Sequence, residues 1–334
     1  MDIRGVVHCT TNDTQYQQPT VSQVPQFGSK RKCCDCMHQV QGLYFREQPV
    51  REEKKRFWID LFYEKTGKEI ARGTKKVCFV VKQDDFEFVL LKAKANLSEK
   101  DGAILLDSFY QERNIQLILS KFEDKYVNII DSFLLPSRKN PQVIKWITIA
   151  EKYQGDFTII KLSQYVHMDS YILQIALRMQ EIIKEMIVLP DFKLDNVVFL
   201  KEKSTITDFG SAHLLGVPPA FLSMTFGYMS PERDLREDGG YPAMIFAFGV
   251  CMAQLVYLGN IPFPSEKLEK KGVKVLDKSC QAEYKKNVIS WRKKMPANKY
   301  RALIQVMTSI NAEGRPTIDQ VVNSIRAIHL RNPN

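Results

Sequence analysis

The sequence lacks any long apolar run: nowhere in its 334 residues do about 18 apolar residues follow one another, so we expect no transmembrane helix. Residues 1–13 contain no apolar core of the length that a secretory signal needs. Cysteine is sparse as well, and the seven cysteines form no closely spaced, even-numbered framework typical of disulfide-rich secreted domains. These absences favour a reducing, intracellular location, either cytoplasmic or nuclear.

What is present is the composition of an ordinary globular protein, with 44% hydrophobic and 26% charged residues. A chain of this length is typical of two domains or of one bilobal unit. Residues 1–50 differ from the rest because they are rich in Gln, Thr, Ser and Pro and show no apolar period. Such a segment has too little apolar surface to bury, so we predict a disordered N-terminal tail.

Within this tail, three cysteines and a histidine (Cys33, Cys34, Cys36 and His38) follow the basic triplet 30–32. A zinc site is one interpretation, although adjacent cysteines fit tetrahedral coordination poorly. A second is S-acylation, because clustered cysteines beside basic residues supply the two signals that stable membrane anchoring usually requires. The third is a tail with neither function, so we expect membrane association only if the cysteines are acylated.

The net charge of +10 is concentrated in one segment. Residues 267–301 contain twelve Lys or Arg and three acidic residues, a net charge of +9. Two interpretations stay open: these charges form a solvated helical face, or they attract an acidic partner such as an acidic substrate or anionic lipid. Aromatic residues are few among the basic ones (Tyr284, Trp291 and Tyr300), so we predict no nucleic-acid groove.

The residue pattern changes from strands to helices near residue 150. β-branched and aromatic runs predict five strands of an antiparallel sheet, at 57–63, 77–81, 86–91, 127–134 and 143–150. Apolar residues at helical spacing predict helices at 105–122, at 171–186, from 242 onward and at 318–330.

A group of chemically active residues follows the second of these helices. Asp191, Lys193 and Asn196 are closely spaced, and Asp208-Phe209-Gly210 follows a short apolar strand. Asp191 is suited to orient an attacking hydroxyl or accept its proton, and Lys193 to offset charge on a moving phosphoryl group. Asn196 and Asp208 carry the oxygen ligands that Mg²⁺ prefers. This order of residues favours phosphoryl transfer from a metal-bound nucleotide.

The segment resembles the catalytic loop and metal-binding turn of the eukaryotic protein kinases, and the resemblance extends over residues 57–331. It implies an α+β bilobal fold, with a small lobe of five antiparallel strands and one helix (57–150), a hinge (151–156) and a larger, mainly helical lobe (157–331). It also implies ATP and Mg²⁺ as cofactors and proteins as substrates. Thr225 matches the threonine of the serine/threonine-directed members, which implies phosphorylation of Ser or Thr hydroxyls.

The resemblance assigns seven further residues to nucleotide binding: Ile70, Gly73, Val77, Lys92, Glu112, Glu151 and Tyr153. Gly73 lies where the family has its glycine-rich phosphate loop, but Ala71 and Lys76 replace the two outer glycines. Because a missing side chain lets backbone amides approach phosphate, these replacements predict loose or altered nucleotide binding. Glu151 and Tyr153 lie where the family's hinge meets adenine.

A lysine and a glutamate of the small lobe form the family's phosphate-binding pair. Lys92 matches the lysine, with Lys94 as its rival two residues further along the same strand face. Glu112 matches the helix-borne glutamate. Gln116, four residues later, stands where the family usually has an apolar packing residue.

Other positions depart from the family. Leu189 and Pro190 replace the His and Arg that normally precede the catalytic Asp, so Pro190 cannot clamp a phosphorylated loop. Met244 replaces an aspartate that hydrogen-bonds the catalytic-loop backbone, which predicts apolar packing against Leu189 in place of a polar brace. By contrast, Glu232 and Arg315 match a buried ion pair of the family.

Two hypotheses follow from this mixture. The first is an active, Mg²⁺- and ATP-dependent protein kinase directed at Ser or Thr, without control through the missing arginine. The alternative is a pseudokinase that acts as a nucleotide-binding or non-catalytic scaffold or allosteric partner. The altered positions mostly brace the site, whereas the retained ones act on phosphate directly, so the first hypothesis is favoured.

Overall fold

The computed structural model describes residues 68–72, 76–83, 86–93, 99–122, 125–127, 129–136, 144–153, 155–156, 168–200, 203–217, 224–233 and 239–331. The cysteine cluster of the tail, the predicted strand 57–63, Gly73 and Lys94 all lie outside these residues. The side chains of Ile70 and Lys92 are also outside the description, although their backbones are within it.

The N-terminal part of the described chain forms an antiparallel sheet of five strands: β1 Lys68–Arg72, β2 Lys76–Gln83, β3 Phe86–Ala93, β4 Ile129–Pro136 and β5 Ile144–Glu151. They lie in the order β1-β2-β3-β5-β4, and every neighbouring pair is antiparallel. Strands β2 to β5 confirm the strands predicted at 77–81, 86–91, 127–134 and 143–150, with bounds that agree within a few residues. The remaining strand of this sheet is β1, which the pattern misses because its sequence, KEIAR, is mostly charged, as suits an exposed edge strand.

One helix, α1 (Glu99–Leu119), packs on this sheet. The rings of Phe109 on α1 and Trp146 on β5 meet edge to face with centroids 5.3 Å apart. Ile115 and Leu119 are buried further along the helix. The predicted start at residue 105 is six residues late, because the first turn is polar and has no apolar period.

The C-terminal part is mainly helical: α2 Met168–Lys184, α3 Gly240–Val256, α4 Glu266–Lys270, α5 Gln281–Lys294, α6 Arg301–Met307 and α7 Ile318–Arg331. Five short strands accompany these helices: β6 Gly155–Asp156, β7 Ile187–Val188, β8 Val197–Leu200, β9 Lys203–Ile206 and β10 His213–Leu214. They pair as β6-β8-β9 and β7-β10. A five-stranded antiparallel sheet with one helix, followed by a larger helical part, confirms the predicted α+β fold.

Helix α3 is buried on all sides, as its almost wholly apolar sequence requires. Its Phe248 ring meets Phe192 edge to face at 6.0 Å, so the helix supports the loop that follows β7. The predicted apolar stripe of α2 is buried in the same core. Among the residues that the structure describes, no helix combines the length and the apolar character needed to cross a membrane.

The basic segment 267–301 spans most of α4, the whole of α5 and the loops around them. Nine of its twelve basic side chains are exposed: Lys267, Lys270, Lys271, Lys274, Lys278, Lys286, Lys293, Lys294 and Lys299. Three of these form ion pairs with acidic side chains, namely Lys270 with Glu266, Lys271 with Glu283 and Lys299 with Asp169. These exposed side chains form a basic face, which agrees with both interpretations of the segment.

Candidate active site

The loop that carries Asp191 is anchored in the core at both ends. Strand β7 before it and strand β8 after it have buried side chains, and a 3-10 helix at Leu194–Asn196 joins the loop to β8. Pro190 fixes its own φ angle and contributes no N–H, so the turn at Asp191 has one backbone donor fewer to satisfy. The local sequence therefore places Asp191 in a turn between two strands that are buried in the core.

The carboxylate of Asp191 accepts hydrogen bonds on both oxygens. Lys193 Nζ donates to Oδ2 at 2.9 Å, and the hydroxyl of Thr225 donates to Oδ1 at 2.7 Å. Lys193 Nζ also donates to the Thr225 hydroxyl at 2.9 Å, which closes a triangle of three side chains. Thr225 lies 34 residues from Asp191, so the fold brings together residues of two separate predicted motifs. Both oxygens of the Asp191 carboxylate are therefore hydrogen-bonded within the protein.

The two predicted metal ligands also lie on neighbouring segments. The amide nitrogen of Asn196 donates to the Asp191 carbonyl at 3.0 Å, which leaves the amide oxygen free of that bond and able to bind a cation. The backbone N–H of Thr207 donates to the Asn196 carbonyl at 2.8 Å and brings the Asp208 segment alongside. Asp208 is exposed and has a positive φ of 60°, whereas Phe209 is buried beneath it. One amide and one carboxylate oxygen fit Mg²⁺, which usually takes few protein ligands and completes its shell with phosphate and water.

The predicted lysine–glutamate pair is described only in part. Lys92 is the last residue but one of β3, and it pairs in register with Val77 on β2 and Ile147 on β5. Glu112 on α1 is buried. Gln116 donates its amide to Glu112 Oε1 at 3.2 Å. The contact between Lys92 and Glu112 stays a prediction, because the Lys92 side chain lies outside the description.

The other residues predicted to contact nucleotide lie in strands of the same sheet or directly after one. Ile70 is in β1 and Val77 is buried in β2, on either side of Gly73 in the sequence. Glu151 is the exposed last residue of β5, and Tyr153 is half-buried two residues later. Their roles towards phosphate and adenine stay predictions.

Met244 corrects one prediction from the sequence. Its sulfur accepts the backbone N–H of Leu189 at 3.3 Å, so the contact between α3 and the loop is a hydrogen bond and not apolar packing alone. Both groups are buried. Because Pro190 has no N–H, a single weak acceptor is enough at this point. The loop therefore keeps a polar brace after the loss of the family's aspartate.

We expect Met244→Leu to lower the free energy of unfolding by roughly 1–2 kcal/mol, because the buried Leu189 N–H loses its acceptor while the volume is conserved. Urea denaturation monitored by fluorescence measures the effect. Met252→Leu is the matched control, since Met252 is fully buried on the same helix and its sulfur accepts no hydrogen bond from the described residues. Equal destabilisation by the two variants would show that the sulfur bond contributes nothing.

The predicted pair of Glu232 and Arg315 is confirmed. Arg315 donates Nη1 and Nη2 to the two Glu232 oxygens at 2.5 and 2.6 Å, and its side chain is 1% exposed. It also donates to the Pro242 carbonyl and stacks over the Phe246 ring. Burial acts to raise the pKa of Glu232, but the hydrogen bonds and charge of Arg315 outweigh it and lower that pKa below its ordinary value.

One contact of the loop has no signal in the sequence. Arg233, directly after Glu232, donates Nη1 to the Pro190 carbonyl at 2.9 Å and is buried. A single arginine in an irregular segment is expected to be solvated, and only the fold places it behind the residue that precedes Asp191.

Comparison with known proteins agrees with this geometry. A family model described as the protein kinase domain matches residues 65–325. A relative from Arabidopsis thaliana, "Cysteine-rich receptor-like protein kinase 7", is 25% identical over 197 residues, which are 57% of this chain and 27% of that protein. The match thus covers about a quarter of the relative's own length. The family model spans most of the chain, and its members in general use ATP and Mg²⁺ to phosphorylate proteins: the chain belongs to the protein kinase family.

Proposed function

We propose that the chain is an active protein kinase that transfers the γ-phosphoryl group of MgATP to Ser or Thr hydroxyls of protein substrates. The observation that carries this proposal is the triangle of Asp191, Lys193 and Thr225. Binding alone would not require a carboxylate with a lysine on one oxygen and a hydroxyl on the other. Thr225 supports the Ser/Thr preference, because it matches the threonine of the family's serine/threonine-directed members and its hydroxyl bonds to Asp191 Oδ1 as that role requires.

Each residue of the site then has a defined task. Asp191 orients the substrate hydroxyl and accepts its proton, and Lys193 offsets negative charge on the moving phosphoryl group. Asn196 and Asp208 hold Mg²⁺, which when bound neutralises charge on the phosphates. Lys92, held by Glu112, positions the phosphates. The remaining assigned residues, Ile70, Gly73, Val77, Glu151 and Tyr153, enclose the nucleotide.

We place this activity inside the cell, in the cytoplasm or nucleus. The three described cysteines, Cys78, Cys251 and Cys280, are free thiols, which agrees with a reducing compartment. The basic face at 267–301 supports an acidic partner, because several of its lysines have no ion pair among the described residues. Membrane association depends on acylation of Cys33, Cys34 or Cys36, and no nucleic-acid partner is proposed.

A pseudokinase is the second candidate, and one contact favours it. Gln116 donates to Glu112 Oε1, so part of the glutamate's capacity to hold Lys92 is already used. Together with Ala71 and Lys76 in the phosphate loop, this contact weakens the expected grip on ATP. In this case the chain acts as a scaffold or allosteric partner and transfers no phosphate.

Incubation of the purified protein with Mg²⁺, labelled ATP and a generic basic or acidic protein substrate tests the proposal. We expect label transfer by the wild type, and a lower transfer and a smaller ATP-induced thermal shift for Lys92→Ala, because the phosphates lose their cationic partner. Arg326→Ala is the control, since it removes an exposed cation of α7 that lies outside both the candidate site and the basic face. A thermal shift with ATP but no transfer would identify the pseudokinase.

A further inference from the structure

Arg233 is a buried cation, and burial of a guanidinium is costly unless its donors meet acceptors. The residue is 3% exposed, and its Nη1 donates to the Pro190 carbonyl at 2.9 Å. That carbonyl belongs to the peptide unit whose nitrogen is Asp191's. Because the peptide unit is planar, a bond that orients its oxygen also orients the backbone from which the Asp191 side chain projects.

Hydrogen bonds at the residues on either side of Pro190 also hold the backbone. The Leu189 N–H is bound by Met244 Sδ on one side, and the Asp191 carbonyl by Asn196 Nδ2 on the other. The backbone is therefore held at three consecutive residues by side chains from α3, from the segment that contains Arg233 and from the loop itself. Arg233 contributes the only charged group among these three bonds, and bonds to charged groups are the stronger kind.

The neighbouring residues determine the path of the Arg233 side chain. Gly239, with φ of +69°, precedes α3, and a Cβ at this position would lie 2.8 Å from Arg233 Cγ and 2.6 Å from Ala243 Cβ. Only glycine leaves room for the arginine stem here. The Arg233 carbonyl accepts a bond from Gln281 on α5 at 3.4 Å, and the preceding Glu232 is paired with Arg315. The backbone that carries the Arg233 side chain is thus held by α5 and by the ion pair of the preceding residue.

We propose that Arg233 is a positioning residue for phosphoryl transfer: it holds the catalytic loop so that Asp191 faces the substrate hydroxyl. The inference rests on the proposed function. Among the contacts that the structure describes, Arg233 meets the backbone behind Asp191 and none of the residues assigned to nucleotide or metal, so its removal is expected to act on the orientation of Asp191 and not on nucleotide binding.

Three variants test the inference through two measurements, steady-state kinetics and hydrogen–deuterium exchange of residues 187–200. We expect Arg233→Met to lower kcat by about tenfold to a hundredfold, the range for loss of one bond to a charged group, with KM for ATP unchanged. The exchange of 187–200 becomes faster. Arg233→Lys recovers part of both effects, because an ammonium group can reach the same carbonyl. Arg292→Met, which removes a bond of the same type to the Gln305 carbonyl on another face, changes neither.

Unchanged exchange and a kcat equal to that of Arg292→Met would overturn the inference. If Arg233→Met does not fold, Arg233→Lys decides the matter, because it retains the buried charge but offers fewer donors to the Pro190 carbonyl, and it should also accelerate the exchange of 187–200. If the wild type transfers no phosphate, the proposed function fails, whereas the exchange comparison still decides whether Arg233 holds the loop.

Discussion

Asp191→Asn is expected to lower kcat for phosphoryl transfer by about a hundredfold to ten-thousandfold, the range that general acid–base catalysis contributes. The asparagine oxygen can still accept the Thr225 hydroxyl, so the loop keeps part of its geometry. Its amide nitrogen, however, cannot accept a proton and points a donor at the Lys193 ammonium group. The substrate hydroxyl therefore loses its base, and Lys193 loses its counter-charge. Label transfer from ATP at saturating substrate measures the effect.

The control separates loss of chemistry from loss of fold. The thermal midpoint of Asp191→Asn with Mg²⁺ and ATP should still rise over that of the ligand-free variant, because Asn196, Asp208 and the five-stranded sheet are unchanged. Asp319→Asn, at the start of α7 and far along the chain from the site, should leave kcat unchanged. Transfer by Asp191→Asn at the wild-type rate would refute the catalytic assignment of Asp191.

Arg315→Met is expected to lower the free energy of unfolding by about 3 kcal/mol or more, because it leaves the Glu232 carboxylate in a largely buried site without its partner. Arg315 makes four donor contacts there, two to Glu232 and two to backbone carbonyls, and a methionine replaces none of them. Urea denaturation at neutral pH measures the loss. Arg326→Met, on the exposed face of α7, should change stability by no more than about 0.5 kcal/mol.

The pH dependence of this effect has a definite sign. Arg315 lowers the folded-state pKa of Glu232 below its ordinary value of 4.5, so the pair's stabilisation is fully present above that value. It is lost as the pH falls through the lower, folded-state pKa. The gap between wild type and Arg315→Met should therefore be largest near neutral pH and shrink in acid. The double variant Glu232→Gln/Arg315→Met should recover part of the loss, since no buried charge remains; a double variant as unstable as the single one would contradict this account.

Much of the fold could be predicted because its signals are local. The β-rich runs of β2 to β5 and the apolar stripes of α2 and α7 are visible at periods of two and about 3.6 residues. The errors occur where the period is absent: β1 is mostly charged, and the first turn of α1 is polar. Both elements owe their structure to their neighbours and not to an apolar pattern of their own.

The candidate site divides in the same way. Asp191, Lys193 and Asn196 lie in one short segment, and Asp208 follows closely, so their residue types and spacing indicate phosphoryl transfer without any structure. Glu232 and Arg315 are far apart in the chain, and only the resemblance to a family connects them in advance. Sequence alone thus determined which side chains are available for chemistry.

The tertiary structure decided what holds those side chains in place. Met244 accepts the Leu189 N–H from 55 residues away, and Arg233 reaches the Pro190 carbonyl from 43 residues away. Neither partner is implied by residue type, because a methionine is usually apolar filling and an arginine is usually solvated. A hydrogen bond depends on distance and direction between two atoms, and for groups this far apart in the chain only the packing of α3 and the segment before it supplies both.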